Sequence, residues 1–139
     1  MRRGLAILIV AGCASDPGLE CERYSASSPQ GLWCAAHKNA ALRFVRSTND
    51  VDGRRARLSW FRSTFYAAIA KTENADTIHQ LAMSVEKEMP TFHRFYAQEH
   101  LWAVRDAGPM NPDLQGPLMK AGFRHAVVEL ERELHPARE

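Results

Sequence analysis

Apolar side chains recur three and four residues apart along most of this chain, which is the spacing of one face of an α-helix. No stretch alternates apolar and polar residues between turn residues, as a half-buried strand would. The predicted fold class is therefore all-α, a bundle of four to five helices.

Capping and helix-breaking residues divide the chain into predicted helices at about 32–46, 50–71, 74–89, 91–107 and 111–134. Pro90 separates the third helix from the fourth, and Gly108-Pro109 ends the fourth. The side chains expected to face inward are Cys34, Ala41, Leu42, Val45, Leu58, Phe61, Phe65, Ala68, Ile69, Ile78, Leu81, Ala82, Val85, Met89, Leu118, Met119, Phe123, Ala126, Val127, Leu130 and Leu134. The fourth helix is aromatic and carries Phe92, Phe95, Tyr96 and Trp102.

The first residues form a short basic segment followed by an apolar one. Met1-Arg2-Arg3 precedes residues 4–12, which carry no charge. A helix that crosses a bilayer needs ~20 apolar residues, so this run is too short to span one. Its length and flanking charges are typical of the apolar region of a secretory signal.

The apolar run ends in Val10-Ala11-Gly12-Cys13, an aliphatic residue, two small residues and a cysteine. With this lipobox, residues 1–13 resemble the signal of bacterial lipoprotein precursors. The resemblance implies that residues 1–12 are a signal peptide, which is removed, and that Cys13 carries lipid, including palmitate. No family is recognised for residues 14–139. The alternative is a buried first strand with Cys13 as an ordinary core thiol.

The residue after Cys13 bears on the location. In lipoproteins of bacteria with two membranes, an aspartate at this position favours the inner membrane, whereas here Ala14 follows. The resemblance therefore implies a cell-envelope protein anchored by lipid in the outer membrane and facing the periplasm. In a bacterium with one membrane, the anchor would lie in that membrane.

The charge balance gives no reason to expect a nucleic-acid partner. The chain has 18 Lys and Arg residues against 16 Asp and Glu residues. Removing residues 1–12 takes away Arg2 and Arg3 but no acid, so the mature chain would be neutral.

Cys21 and Cys34 remain as a pair once Cys13 carries lipid. In an oxidising compartment they are expected to form a disulfide. The closed loop of about 14 residues would stabilise the fold by about 3 kcal/mol. Cys34 and His37 also have the spacing of zinc ligands, so a zinc site is the alternative. The expected organisation is a lipidated N-terminus and tether at 13–31, then a helical domain at 32–139.

Familiar catalytic and metal-binding motifs are missing from the sequence. It has no G-x-S-x-G, no H-E-x-x-H, no phosphate-binding loop and no dinucleotide fingerprint. Bundle metal sites use Glu-x-x-His pairs, and the nearest approach is Asp76-x-x-His79. We therefore expect no enzyme activity, no cofactor and no metal, with the six histidines at the surface or at an interface.

Two groups of side chains are candidates for binding a partner: the basic Arg54, Arg55, Arg57 and Arg62, and the aromatic Tyr96 and Trp102. The arginines could meet an acidic partner or anionic lipid, and the alternative is a solvated face balanced by acids of a neighbouring helix. The two rings could be exposed interface anchors, and the alternative is the core.

The favoured function is to bind a protein partner at the membrane, first of all as an inhibitor or immunity protein against a toxin or cell-wall hydrolase. The alternative is a pilotin-like or structural assembly lipoprotein of a secretion, conjugation or phage-exclusion system. Both follow from compartment, size and architecture, because no motif within residues 14–139 decides between them.

Overall fold

This computed structural model describes residues 20–135, and five helices make up most of them. They are α1 (Pro29–Arg46), α2 (Val51–Trp60, continued by π-helical Phe61–Tyr66 and by Ala67–Ile69), α3 (Ala75–Ser84), α4 (Pro90–Ala107) and α5 (Pro112–Leu134). The described residues contain no strand, so the prediction of an all-α fold is confirmed. None of these helices is both long and apolar enough to cross a membrane.

The first helix begins at Pro29, earlier than the predicted Leu32. Ser28 caps it, because the Gly31 N–H donates to the Ser28 hydroxyl oxygen at 3.0 Å. Proline suits the first helical position, where an N–H would have no partner. A Cβ on Gly31 would lie 2.0 Å from the Ser25 carbonyl oxygen, so glycine permits this close approach. Gly31 therefore belongs to the first turn of α1 and does not end a tether.

The middle of the fold is α1, which packs along both α4 and α5. The approach of α5 is closest at Gly122, where a Cβ would lie 2.5 Å from the Cys34 carbonyl oxygen and 3.1 Å from Cβ of His37. Any side chain at this position would push the two helices apart. Side chains from α1, α2, α4 and α5 form a cluster of buried rings in edge-on and tilted contact: Phe44, Phe61, Phe65, Phe92 and Phe123.

The π-helical turns of α2 change which residues face the core. Ser63 Oγ donates to a carbonyl one turn earlier at 2.7 Å, a contact that often accompanies a bend. A π turn holds more residues than an α turn, so Phe61, Phe65 and Ile69, which are four residues apart, all stay buried. The prediction for Ala68 was wrong, because the wider turns rotate it into solvent.

The third helix ends at Ser84, well before the predicted Met89. Met89 has φ −137° and ψ 71°, since a following proline disfavours the helical conformation, and Pro90 opens α4. Most of the other side chains that were predicted to face inward are buried. Those that are only partly buried against the core are Leu81, Val85, Met89 and Val127.

Candidate functional site

Cys21 and Cys34 form a disulfide, which confirms the predicted pair. Their Cα atoms are 5.6 Å apart, and Cys34 is 1% exposed. The Cys34 sulfur is therefore not free to bind zinc with His37, so the zinc alternative is not realised. Cys13 and the predicted signal peptide at 1–12 lie outside the described residues.

The described part of the predicted tether is fixed to the helices. It begins with a short 3-10 helix, Cys21–Arg23, here called the N-terminal turn. Glu20 forms an ion pair with Arg124 of α5, and Glu22 lies 2.7 Å from His125 of the same helix. These contacts and the disulfide make the segment from about residue 20 onward part of the folded body.

Three of the four clustered arginines donate hydrogen bonds to backbone carbonyl groups. Arg57 donates to the Phe44 carbonyl in the last turn of α1 at 2.7 Å, and its guanidinium lies 5.1 Å from the centre of the Phe44 ring. Arg54 donates to a carbonyl in the turn that follows α1, at 3.0 Å. Arg55 donates to the Leu134 carbonyl at the end of α5, at 3.4 Å. Cations at these positions complement the negative ends of helix dipoles.

Acids of α5 pair with the fourth arginine and with two cations of α1. Arg62 pairs with Glu131. From α1, Lys38 and Arg46 contact Glu129 at 3.5 Å and 3.0 Å. This arrangement favours a solvated, balanced face over a docking patch, and a role for the arginines in binding a partner stays a prediction.

Tyr96 lies inside the bundle and not at its surface. It is 0% exposed, and its hydroxyl group hydrogen-bonds to Nδ1 of His79 at 3.0 Å. Burial raises the pKa of Tyr96 well above its ordinary value. The prediction of Tyr96 as a surface anchor is corrected, because it lies one helical turn after the buried Phe92 and shares its face.

Trp102 is 38% exposed on α4, beside Leu101 at 64% and Val104 at 43%. We call Leu101 and Val104, which lie three residues apart on one side of α4, the α4 apolar face. Trp102 lies about 100° away from Leu101 around the helix, on the side that faces α1. The Arg43 guanidinium lies 6.0 Å from the Trp102 ring centre and 2.6 Å from a buried carboxylate oxygen of Glu99. A cavity of about 130 Å³ separates Trp102 from the alanines of α1. Trp102 is exposed enough to contact a partner, and its interface role stays a prediction.

Three histidines from three helices lie together: the buried His37 of α1 and the partly buried His79 of α3 and His100 of α4. We call them the histidine cluster. The ring centres of His37 and His100 are 5.8 Å apart, and those of His79 and His100 are 4.7 Å apart. Trp33 stacks on His37 at 5.5 Å, and Tyr96 stacks on His100 at 5.5 Å.

Two of these rings are neutral at pH 7. His37 is 0% exposed, and its Nδ1–H donates to the Trp33 carbonyl at 2.7 Å. Burial lowers the pKa of His37 to about 3; the Trp33 hydrogen bond raises it, and His100 and His79 lower it further. Burial, followed by the influence of His79, lowers the pKa of His100 to about 4.

The histidine cluster can accept protons, but it holds no nucleophile or metal centre among residues 20–135. None of its three rings hydrogen-bonds to a carboxylate there, and their nitrogens do not converge as a set of metal ligands would. Its neighbours are the aromatic rings of Trp33, Tyr96 and Phe123. Protonation of a histidine in the cluster would place a charge among apolar groups, so the free energy of unfolding should fall in acid.

The expectation that the histidines lie at the surface or at an interface was wrong for His37. A signal was present in the sequence, because Trp33, His37 and Phe44 occupy one helical face of α1, four and then seven residues apart. The position of His79 and His100 beside His37 depends on how α3 and α4 pack against α1. The spacing of residues within one helix does not predict this packing.

No family model, no curated protein and no solved structure matches this chain.

Proposed function

We propose that the protein is a lipid-anchored component of the bacterial cell envelope, attached through Cys13, that binds a protein partner there. The observation that carries this proposal is the disulfide between Cys21 and Cys34. Structural disulfides form and persist in exported proteins and are rare in the cytosol. The lipobox at 10–13 and the disulfide are separate features, and both support export.

The anchor would hold one side of the bundle close to the membrane. Residues 14–19 connect Cys13 to Glu20. At roughly 3.5 Å per residue, this connection can span about 25 Å when fully extended. The N-terminal turn that follows packs against α1 and α5, so that side would face the bilayer. The α4 apolar face belongs to another helix and would remain accessible to a partner.

The exposed apolar residues of α4 support a protein partner. Leu101 and Val104, the α4 apolar face, are three residues apart and share one side of the helix. Trp102 follows Leu101 but points about 100° away around the helix, toward Arg43, whose guanidinium lies near its ring. Tryptophan and arginine are the residue types that dominate binding at protein interfaces. The first form of the proposal is an inhibitor or immunity protein, and the second is a pilotin-like or assembly lipoprotein.

Metabolic labelling with palmitate tests the anchor. The wild-type protein should carry label and sediment with membranes, whereas Cys13→Ser should lose both properties. The matched control is Cys21→Ser/Cys34→Ser, which removes the other thiols and should retain the label. Label that survives Cys13→Ser would contradict the proposed anchor.

Photo-crosslinking in intact cells tests the partner. A photoreactive residue at Leu101 should capture one protein, identified by mass spectrometry, and the same residue at the exposed Thr64 of α2 should not. A captured toxin or wall hydrolase would support the inhibitor form, and a secretin subunit would support the pilotin-like form. Equal capture from both positions would contradict a docking role for α4.

A further inference from the structure

The N-terminal turn and α5 bring together three side chains that can ligate a metal: Glu20, Glu22 and His125. One ligand atom from each lies within 4.8 Å of the other two. Among residues 20–135, no other set of three or more His, Cys, Asp or Glu side chains converges in this way.

The fold holds these side chains in place before any ion arrives. Cys21 lies between the two glutamates, and its disulfide locks the N-terminal turn onto α1. Glu20 is extended, with φ −79° and ψ 134°, and Glu22 lies in the 3-10 helix that follows, so both acids face α5. The side chains of His125 and Glu20 are 26% and 27% exposed, which limits their rotation, whereas that of Glu22 is 63% exposed and is oriented by its contact with His125. A site that is already assembled has less ordering entropy to lose on binding.

Each of the three residues has a donor atom to offer. Nε2 of His125 lies 2.7 Å from Oε2 of Glu22. Arg124 binds Oε1 of Glu20, which leaves the second oxygen of that carboxylate available. A cavity of about 290 Å³ opens beside these side chains and has room for a water ligand.

We propose that Glu20, Glu22 and His125 bind one divalent transition-metal ion of the zinc type, with water as a further ligand. Zinc takes imidazole nitrogen and carboxylate oxygen at about 2.0–2.2 Å, whereas magnesium and calcium prefer oxygen ligands alone. Two such ligands on a tetrahedral ion lie about 3.3 Å apart. The contact between His125 and Glu22 therefore has to open by about half an ångström.

The surrounding charges are compatible with a dication. Glu129 lines the same cavity but is paired with Lys38 and Arg46, so the negative charge available to the ion is that of Glu20 and Glu22, with Arg124 and Arg132 nearby. The bound ion would join the N-terminal turn to α5 just as the disulfide joins it to α1.

This site departs from the sequence-based expectation of no metal, because two glutamates in a turn do not form a helical ligand motif. It does not depend on the proposed lipid anchor.

Isothermal titration with zinc chloride tests the site, using the full chain with its disulfide intact and without a histidine tag. We expect one zinc ion per chain, with affinity reduced about tenfold or more in His125→Ala and in Glu22→Gln. The matched control is His93, whose Nε2 lies 4.0 Å from Glu86 Oε1, a histidine–glutamate pair without a second acid. His93→Ala should bind zinc like the wild type.

Thermal unfolding of the same proteins separates loss of binding from loss of folding. Without zinc, Glu22→Gln and His93→Ala should melt close to the wild type, and with zinc the Tm should rise in the wild type and in His93→Ala only. Absence of zinc uptake by the wild type would overturn the proposal. So would unchanged uptake by the double variant His125→Ala/Glu22→Gln. Uptake that is lost in His100→Phe but retained in His125→Ala would also overturn it and would place the ion in the histidine cluster.

Discussion

The rings of His37 and His100 meet across the contact between α1 and α4 with their centres 5.8 Å apart. Each has a buried nitrogen without a hydrogen-bond partner among the described residues, Nε2 in His37 and Nδ1 in His100. A buried polar atom left unpaired costs about 1–3 kcal/mol, and a buried charge costs more. The pair therefore ties the stability of the fold to pH.

Acid should destabilise the protein through His37. Its pKa is about 3 in the folded protein, against about 6.5 in the unfolded chain. Below pH 6.5 the unfolded chain binds a proton that the folded protein does not, so the free energy of unfolding falls as pH falls. His37 alone should remove about 1.4 kcal/mol per pH unit between about pH 6 and 4. Urea denaturation at several pH values measures this slope, to which the less buried His100 adds a smaller part.

The control for this prediction is His37→Phe, which keeps a ring between Trp33 and Phe123 but cannot take up a proton. Its free energy of unfolding should depend on pH less steeply than that of the wild type, by about one proton. His135→Phe, at an exposed position, should retain the wild-type slope. Equal slopes for the wild type and His37→Phe would show that His37 is not responsible.

The disulfide should contribute a large part of the stability. Cys21→Ser/Cys34→Ser should lose about 2–4 kcal/mol of unfolding free energy, because the unfolded chain is no longer constrained by the closed loop. The wild type under reducing conditions should behave like the double variant in urea denaturation. Two free thiols in the unreduced wild-type protein, detected by mass spectrometry, would refute the expectation.

Tyr96 and Trp102 should respond differently to truncation, although both lie on α4. Tyr96→Ala removes a fully buried ring and should cost about 3–5 kcal/mol of unfolding free energy. Trp102→Ala removes a ring that is 38% exposed, and should cost less than half as much. Urea denaturation of both variants gives the comparison. Similar losses would contradict the assignment of Trp102 to the surface and Tyr96 to the core.

Arg57 should matter more for stability than Arg62. Arg57→Ala removes the hydrogen bond to the Phe44 carbonyl at the end of α1 and should cost about 1–2 kcal/mol. Arg62→Ala removes an exposed ion pair with Glu131 and should cost less than about 1 kcal/mol. Thermal and urea unfolding measure both values, and the reverse order would indicate that the carbonyl contact contributes little.

Local signals predicted the later helices well. Asn111 followed by Pro112 marks the start of α5, and Gly108, at φ 78°, marks the end of α4, since both act through the backbone of adjacent residues. The predicted start of α1 at residue 32 was too late, because Ser28 and Pro29 form a strong start signal three residues earlier.

Features that depend on packing between helices were not predictable in the same way. The π-helical turns that expose Ala68 are not marked by a capping or breaking residue. The site of Glu20, Glu22 and His125 is formed only when α5 packs beside the N-terminal turn, roughly a hundred residues along the chain. The number of cysteines predicted the disulfide. Of the three, Cys13 was assigned to lipid, and the other two can form only one pair.

The intact mass of the protein extracted from membranes without reductant tests the lipid anchor and the disulfide in one measurement. We expect a polypeptide that begins at Cys13, carries the added mass of its acyl chains, and lacks two hydrogens because Cys21 and Cys34 are joined. An unmodified polypeptide that begins at Met1 and is recovered in the soluble fraction would contradict the proposed lipid anchor.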